Sequence, residues 1–294
     1  MIPPLDPHSQ FVSHPNGQKT HYIVDDFTDP WKPSQAILIQ HGFARHAAFW
    51  YHWIPALSRH YRVIRRDLRG HGYSSYPEPE SDYDYSLETI LDEITDMLDQ
   101  LGLEKVHFLG ESTGGMIGVA FAARHPDRLH SLILCATPTH LPPSAQEMWA
   151  MGHKDWETAC RTLGARGFCE GLAKIPGVLG QPDPDYNTWW REQVGVSSGE
   201  GLASYAGFLS KLDVRPMHGL INTLKVPVLI LAPTRSRNTS LDDQKQLNEA
   251  ITGSKMVVID GLGHEIFVDK GEECQEAVLE FANSLEKQRT DEAC

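Results

Sequence analysis

The chain reads as an α/β fold, a mostly parallel central sheet with helices on both faces, and two observations predict it. Short apolar runs alternate with helical periodicity through residues 87–135 and again through 226–287. A strand–helix–strand order of this kind implies right-handed crossovers between parallel strands. Between these stretches, residues 138–220 hold few strand-like runs but many tryptophans, tyrosines and methionines, with prolines at 142, 143, 176, 182 and 184. That segment is expected to be a mostly helical cap inserted over the sheet, which leaves 1–137 and 221–294 as the core.

Each element has its own signal. Tyr22-Ile23-Val24 follows Pro15-Asn16-Gly17, so residues 10–25 read as a β-hairpin. Residues 36–40 form a compact apolar run ending at His41-Gly42, and 61–67 form another ending before Leu68-Arg69-Gly70-His71-Gly72. Leu87, Ile90, Leu91, Ile94, Met97, Leu98 and Leu101 recur three and four residues apart, one face of a helix capped by Ser86 and stopped by Gly102. A strand over 106–109, a helix over 113–125 and a strand over 129–135 follow. Past the insertion come a strand at 226–232, a helix at 241–251, a strand at 256–259 and a helix at 272–287. Residues 287–294 are polar and read as a frayed end.

A length of 294 residues suits one large α/β domain, and 40% hydrophobic with 22% charged residues is ordinary for a globular enzyme. A formal net charge of −13 disfavours nucleic acid and anionic membrane surfaces as partners, and no Lys/Arg run offsets it. The five cysteines include no Cys-x-x-Cys pair, and their odd number argues against a full disulfide framework. The N-terminus lacks a charged region followed by an apolar one, and no apolar run approaches a membrane span, so a cytoplasmic location is expected. Histidines are numerous but not at ligand spacing with cysteine or carboxylate, and glycine-rich phosphate loops are absent. Neither a metal nor a nucleotide cofactor is expected.

Chemistry enters at Gly110-Glu111-Ser112-Thr113-Gly114, a Gly-x-Ser-x-Gly pattern. The five residues alone are a weak signal. Their place between a predicted strand and a predicted helix is the context that a nucleophile elbow requires, because so sharp a turn leaves room only for glycine two residues either side. A serine hydroxyl needs an adjacent base. His264 stands in the loop Gly261-Leu262-Gly263-His264 after the last predicted strand, where that base is expected. The attacked carbonyl develops negative charge that preorganised N–H groups must meet. One donor is expected from Thr113, after the serine, and one from Phe43 in the His41-Gly42-Phe43-Ala44 loop, with Ala44 as the neighbouring alternative.

With its matching stretches at 41–43, 67–74, 110–115 and 261–264, the chain resembles the α/β-hydrolase fold family, in particular capped esterases and lactonases similar to 3-oxoadipate enol-lactonases. The resemblance implies a cap over the site, no cofactor, and acyl transfer to water. It also implies that Asp67 and His71 belong to a structural loop. A serine at the elbow sets the chain apart from dehalogenases and epoxide hydrolases of this fold, which need aspartate there.

One part of the family pattern fails. The triad acid is expected after the strand at 226–232, and that slot falls on Ser236, with no carboxylate between Asp213 and Asp242. Ser236 is expected to orient His264 as a neutral partner. The alternatives are Asp242 or Asp243 reaching in, or a binding protein that no longer turns over. A pair of aspartates there more simply caps the next helix. Glu111 and Glu265, chain neighbours of the two catalytic residues, are not expected to face them.

The expected substrate is a small apolar ester or lactone, held in part by Trp149, Trp156, Trp189 and Trp190. Hydrolysis of a carbon–carbon bond and a non-catalytic ligand receptor are the rival functions. Arg45, His46, His140 and Arg191 are available for one carboxylate, and a monomer or homodimer is expected.

Overall fold

The computed structural model describes residues 3, 5–78, 84–176, 178 and 183–292. Eight strands form one sheet in the order β1-β2-β4-β3-β5-β6-β7-β8. They are β1 Ser9–Ser13, β2 Lys19–Asp25, β3 Ala36–Gln40, β4 Arg62–Arg66, β5 Val106–Glu111, β6 Leu129–Cys135, β7 Val228–Pro233 and β8 Lys255–Ile259. Only β2 runs against its neighbours; every pair from β4 to β8 is parallel. The first two strands are the expected hairpin, closed by the His14 N–H donating to the Gln18 carbonyl, with Gly17 at φ 84°. All residues of β3, β5 and β7 are buried, which is why they read as unbroken apolar runs rather than alternating ones.

Helices cover both faces. They are α1 Ile54–Leu57, α2 Leu87–Gln100, α3 Thr113–Arg124, α4 Pro143–Ala150, α5 Trp156–Leu172, α6 Pro184–Val194, α7 Gly199–Leu209, α8 His218–Leu224, α9 Leu241–Ala250, α10 Ile266–Asp269 and α11 Gly271–Glu292. The Ser86 hydroxyl accepts from the Thr89 N–H and so caps α2 as expected. α3 packs on β5 and β6 and meets α2 and α8, while α11 packs on α1 and on β7 and β8.

Of the boundaries that differ from the sequence expectation, two have a plain physical cause. The seventh strand starts at Val228 instead of residue 226, because Pro227 has no N–H to give a ladder and serves only as an acceptor for Leu132. The terminal segment expected to fray continues α11 as far as Glu292, since no glycine or proline interrupts the good helix formers after Gly271.

Helices α4 to α8 occupy the stretch between β6 and β7. Prolines 143 and 184 open α4 and α6 at the position where a missing N–H costs nothing. α5 bends at Gly164 (φ 65°, ψ 172°), and α7 packs along it so closely that a Cβ on Gly199 would lie 2.8 Å from the Gly164 Cα. Their apolar sides join the core through Trp156, Phe168, Leu202 and Tyr205.

Candidate active site

Ser112 sits at the junction of β5 and α3 with φ 51° and ψ −125°, a strained conformation for a residue with a side chain. Local crowding forces it. A Cβ on Gly110 would lie 2.6 Å from the Gly115 Cα, and one on Gly114 would lie 2.4 Å from the His41 carbonyl oxygen. Both obstacles are backbone and cannot swing aside. Gly114→Ala should therefore cost at least about 2 kcal/mol, a fall of roughly 4–8 °C in melting temperature, together with loss of Ser112 reactivity. A thermal melt beside an acylation assay checks it.

The Ser112 hydroxyl oxygen lies 2.8 Å from Nε2 of His264, and Oγ of Ser236 lies 2.9 Å from Nδ1 of the same ring. β7 and β8 are parallel neighbours with Pro233 opposite Ile259, so the loops leaving their ends lie side by side and bring positions 236 and 264 together. Asp242 and Asp243 do not reach this site. Asp243 accepts from the N–H and hydroxyl of Ser240 in a capping box at α9, and Asp242 pairs with Lys245.

The surroundings of Ser236 decide what it does to the ring. Its Oγ accepts from the N–H groups of Asn238 at 3.2 Å and Thr239 at 3.1 Å, with the Thr239 hydroxyl 3.1 Å away. A hydroxyl has two lone pairs and one hydrogen. Two arrangements are open to the ring: when Nδ1–H donates to the Ser236 oxygen, Nε2 is bare, and when the Ser236 hydrogen points at Nδ1 instead, Nε2 carries the ring proton toward Ser112. A general base needs the opposite tautomer, with Nε2 bare. A carboxylate at 236 would enforce that tautomer; a hydroxyl leaves the two close in energy. Burial, and secondarily Arg45, push the His264 pKa down to about 3, so the ring is neutral at ordinary pH.

Of the two glutamates, Glu111 departs from expectation and Glu265 does not. Glu111 faces His264, with Oε1 3.8 Å from Nε2, while its Oε2 accepts from the Gly42 N–H at 2.7 Å. The elbow thus brings both Ser112 and the preceding carboxylate to Nε2 of the same imidazole. Glu265 turns away from the ring to a buried ion pair with Arg45, and accepts from the Trp190 indole N–H at 3.1 Å and the Tyr186 hydroxyl at 3.3 Å. The guanidinium of Arg45 also lies over the Trp190 ring, 5.1 Å from its centre. Arg45 is thus committed to the protein interior. Of the other groups available for a carboxylate, His46 bonds the Gln193 carbonyl and His140 lies 3.3 Å from the Thr139 hydroxyl. Removing one partner of a buried pair strands the other charge. Glu265→Ala is expected to cost about 3–5 kcal/mol in urea denaturation.

Phe43 and Thr113 are adjacent, but the Phe43 N–H donates to the Thr113 hydroxyl at 2.9 Å. An oxyanion received there would have to take that hydrogen over from the hydroxyl. Thr113 opens α3, where first-turn N–H groups have no acceptor within the helix. Beside Ser112 is a cavity of about 40 Å³, walled by Phe43, Trp149, Trp156, Phe168, Asn238 and His264. Trp149 and Trp156 line it with ring centres 4.7 Å apart. Trp189 and Trp190 do not: Trp189 packs on Phe49 and Tyr51, and Trp190 serves the Arg45–Glu265 pair. Spacing in the sequence could not separate these four, because it does not tell which side of a helix meets the cavity.

Asp67 and His71 hold the backbone. The Asp67 carboxylate bonds the His21 ring and the N–H groups of Ala47 and Tyr73, and the His71 ring bonds the Arg69 carbonyl. Cys135, Cys160, Cys169 and Cys274 are buried free thiols. Among the described residues no helix is long and apolar enough to cross a membrane, and no three His, Cys, Asp or Glu side chains gather as metal ligands.

Residues 35–271 match the family described as alpha/beta hydrolase fold. A 3-oxoadipate enol-lactonase of Acinetobacter baylyi is 24% identical over 256 residues, 85% of this chain and 90% of that protein. A cis-3-alkyl-4-alkyloxetan-2-one decarboxylase of Shewanella oneidensis is 30% identical over 193 residues, 63% of this chain and 57% of its own length, so the chain spans little more than half of that relative. Among solved structures, the enol-lactonase of Burkholderia xenovorans LB400 superposes with a TM-score of 0.80 at 25% identity, covering 93% of this chain and all of that one. The sheet order, the strained serine between strand and helix, and the family match over most of the length agree: this chain belongs to the alpha/beta hydrolase fold family.

Proposed function

We propose that the chain is a serine hydrolase that cleaves carboxylic esters or lactones through an acyl-enzyme on Ser112, with His264 as general base. The observation that carries this is the 2.8 Å contact between the Ser112 hydroxyl and Nε2 of His264 at a nucleophile elbow. Attack of Oγ on the carbonyl carbon passes the hydroxyl proton to Nε2. The oxyanion is received by the N–H groups of Thr113 and Phe43, and Nε2 then protonates the leaving oxygen. Water repeats the sequence on the acyl-enzyme. The enol-lactonases among its relatives support a lactone as readily as an open ester.

Residues 138–220 act in this reading as a cap. A cavity of about 40 Å³ is too small for an acyl compound of ordinary size, so this reading requires the helices beside Ser112 to give way as substrate enters. Trp149 and Trp156 form the apolar wall that meets the acyl group, and no cofactor takes part. The protein works as a cytoplasmic monomer or homodimer; the buried free thiols suit a reducing compartment.

The test is intact-protein mass after exposure to a small fluorophosphonate. Oγ displaces fluoride from phosphorus as the hydroxyl proton leaves through His264. One adduct on the wild type and none on Ser112→Ala is the expected result. No adduct on a folded wild-type chain would turn the reading toward a ligand receptor.

A further inference from the structure

We propose that Glu111 supplies the negative charge that stabilises the His264 imidazolium during acyl transfer, the part that residue 236 lacks the chemistry to play. The inference rests on the reading of Ser112 and His264 given above.

When Nε2 takes the Ser112 proton, the ring becomes a cation in a buried site beside Arg45. Ser236 offers it a neutral oxygen. The Glu111 side chain approaches the Nε2 end of the ring, with Oε1 3.8 Å from Nε2 and both side chains almost wholly buried, at 4% and 2% exposure. Gly42 fixes the carboxylate in that position. Its N–H holds Oε2 at 2.7 Å, and a Cβ there would stand 2.6 Å from the same oxygen, so only glycine admits the glutamate. The charged and titratable groups around Glu111 are Arg45 and Glu265 in the ion pair, His264 itself, Tyr186 from α6, and Cys135 at the end of β6. Arg45 favours the carboxylate and Glu265 opposes it.

No proton passes to Glu111 in the step. The Oγ–carbon bond forms, the carbonyl electron pair moves onto oxygen, the serine proton goes to Nε2, and the same proton leaves with the departing oxygen. Glu111 acts through His264 and does not touch the substrate.

Burial pushes the Glu111 carboxyl up to about 7, so its ionised fraction changes across neutral pH. The rate should follow the ionised form, full above that value and falling as pH drops through it. His264 by itself would put an acid limb only near 3.

The experiment measures fluorophosphonate labelling rate against pH for the full chain, Glu111→Gln, Ser236→Asp and the double variant, each verified as folded by circular dichroism. Glutamine keeps an oxygen for the Gly42 N–H and removes the charge, replacing the oxygen nearer Nε2 with an NH2 group. Glu111→Gln is expected to slow labelling on the order of a hundredfold at pH 8, the size typical of losing one electrostatic group, and to abolish the inflection near neutrality. With aspartate at 236 the same change should cost less than about fivefold, because a second carboxylate then serves the ring. An unchanged rate and profile in Glu111→Gln overturns the proposal. So does an equal loss in both backgrounds with the profile intact, the mark of a merely structural residue. Failure of the wild type to label at any pH strikes the Ser112 reading itself, an outcome distinct from the other two.

Discussion

Replacing His264 by alanine should slow ester hydrolysis by about 10⁴- to 10⁶-fold, nearly as much as replacing Ser112. In the proposed mechanism the two side chains form one device: among the described residues the 2.8 Å contact with Nε2 is the hydrogen bond made by the Ser112 hydroxyl, and a hydroxyl at neutral pH is otherwise inert. The double variant should be no slower than the worse single one, since half a device does nothing for the other half. Steady-state turnover of a 4-nitrophenyl ester checks this. Independent, multiplying losses would separate the two residues and remove the proposed base.

Ser236→Asp should act in the other direction. Position 236 already has what an aspartate needs, with the Asn238 and Thr239 N–H groups and the Thr239 hydroxyl converging on its side-chain oxygen. A carboxylate has room for these donors and for the ring N–H as well. It would hold the proton on Nδ1, leave Nε2 bare, and stabilise the imidazolium. We expect kcat/KM to rise on the order of a hundredfold, less than the ~10⁴ lost when a triad aspartate becomes asparagine, because Glu111 already supplies part of the charge. The new carboxylate takes over the part proposed for Glu111, so the inflection near neutrality should flatten in the variant, while the limb set by His264 rises from about 3. A pH–rate profile from 4 to 9 reads both effects. An unchanged rate would show that the 236 oxygen has no part in setting the tautomer.

Much of this site is legible in the sequence because it is local. Gly110 and Gly114 flank Ser112 at the one spacing the elbow tolerates, and a strand and a helix lie on either side. Ser236 and His264 follow from counting past adjacent parallel strands, whose register places the next loops together. The rest depends on chain segments that meet only on folding. Glu111 is adjacent to Ser112, yet its direction is set by Gly42 and by a loop some 150 residues on. The Phe43 N–H is taken by Thr113, seventy positions away. Trp189 and Trp190 are consecutive on α6, but its approach to the core brings Trp190 to the Arg45–Glu265 pair and Trp189 to Phe49.

The small chamber beside Ser112 also sets a ceiling on improvement. If the proposed cap opens and closes, that exchange equilibrates many times per turnover while acylation is slow and leaves no trace in the rate. Once the chemistry is repaired, traffic through the cap becomes the bottleneck. Turnover should then respond to solvent viscosity, and esters with good and poor leaving groups should converge on a single speed.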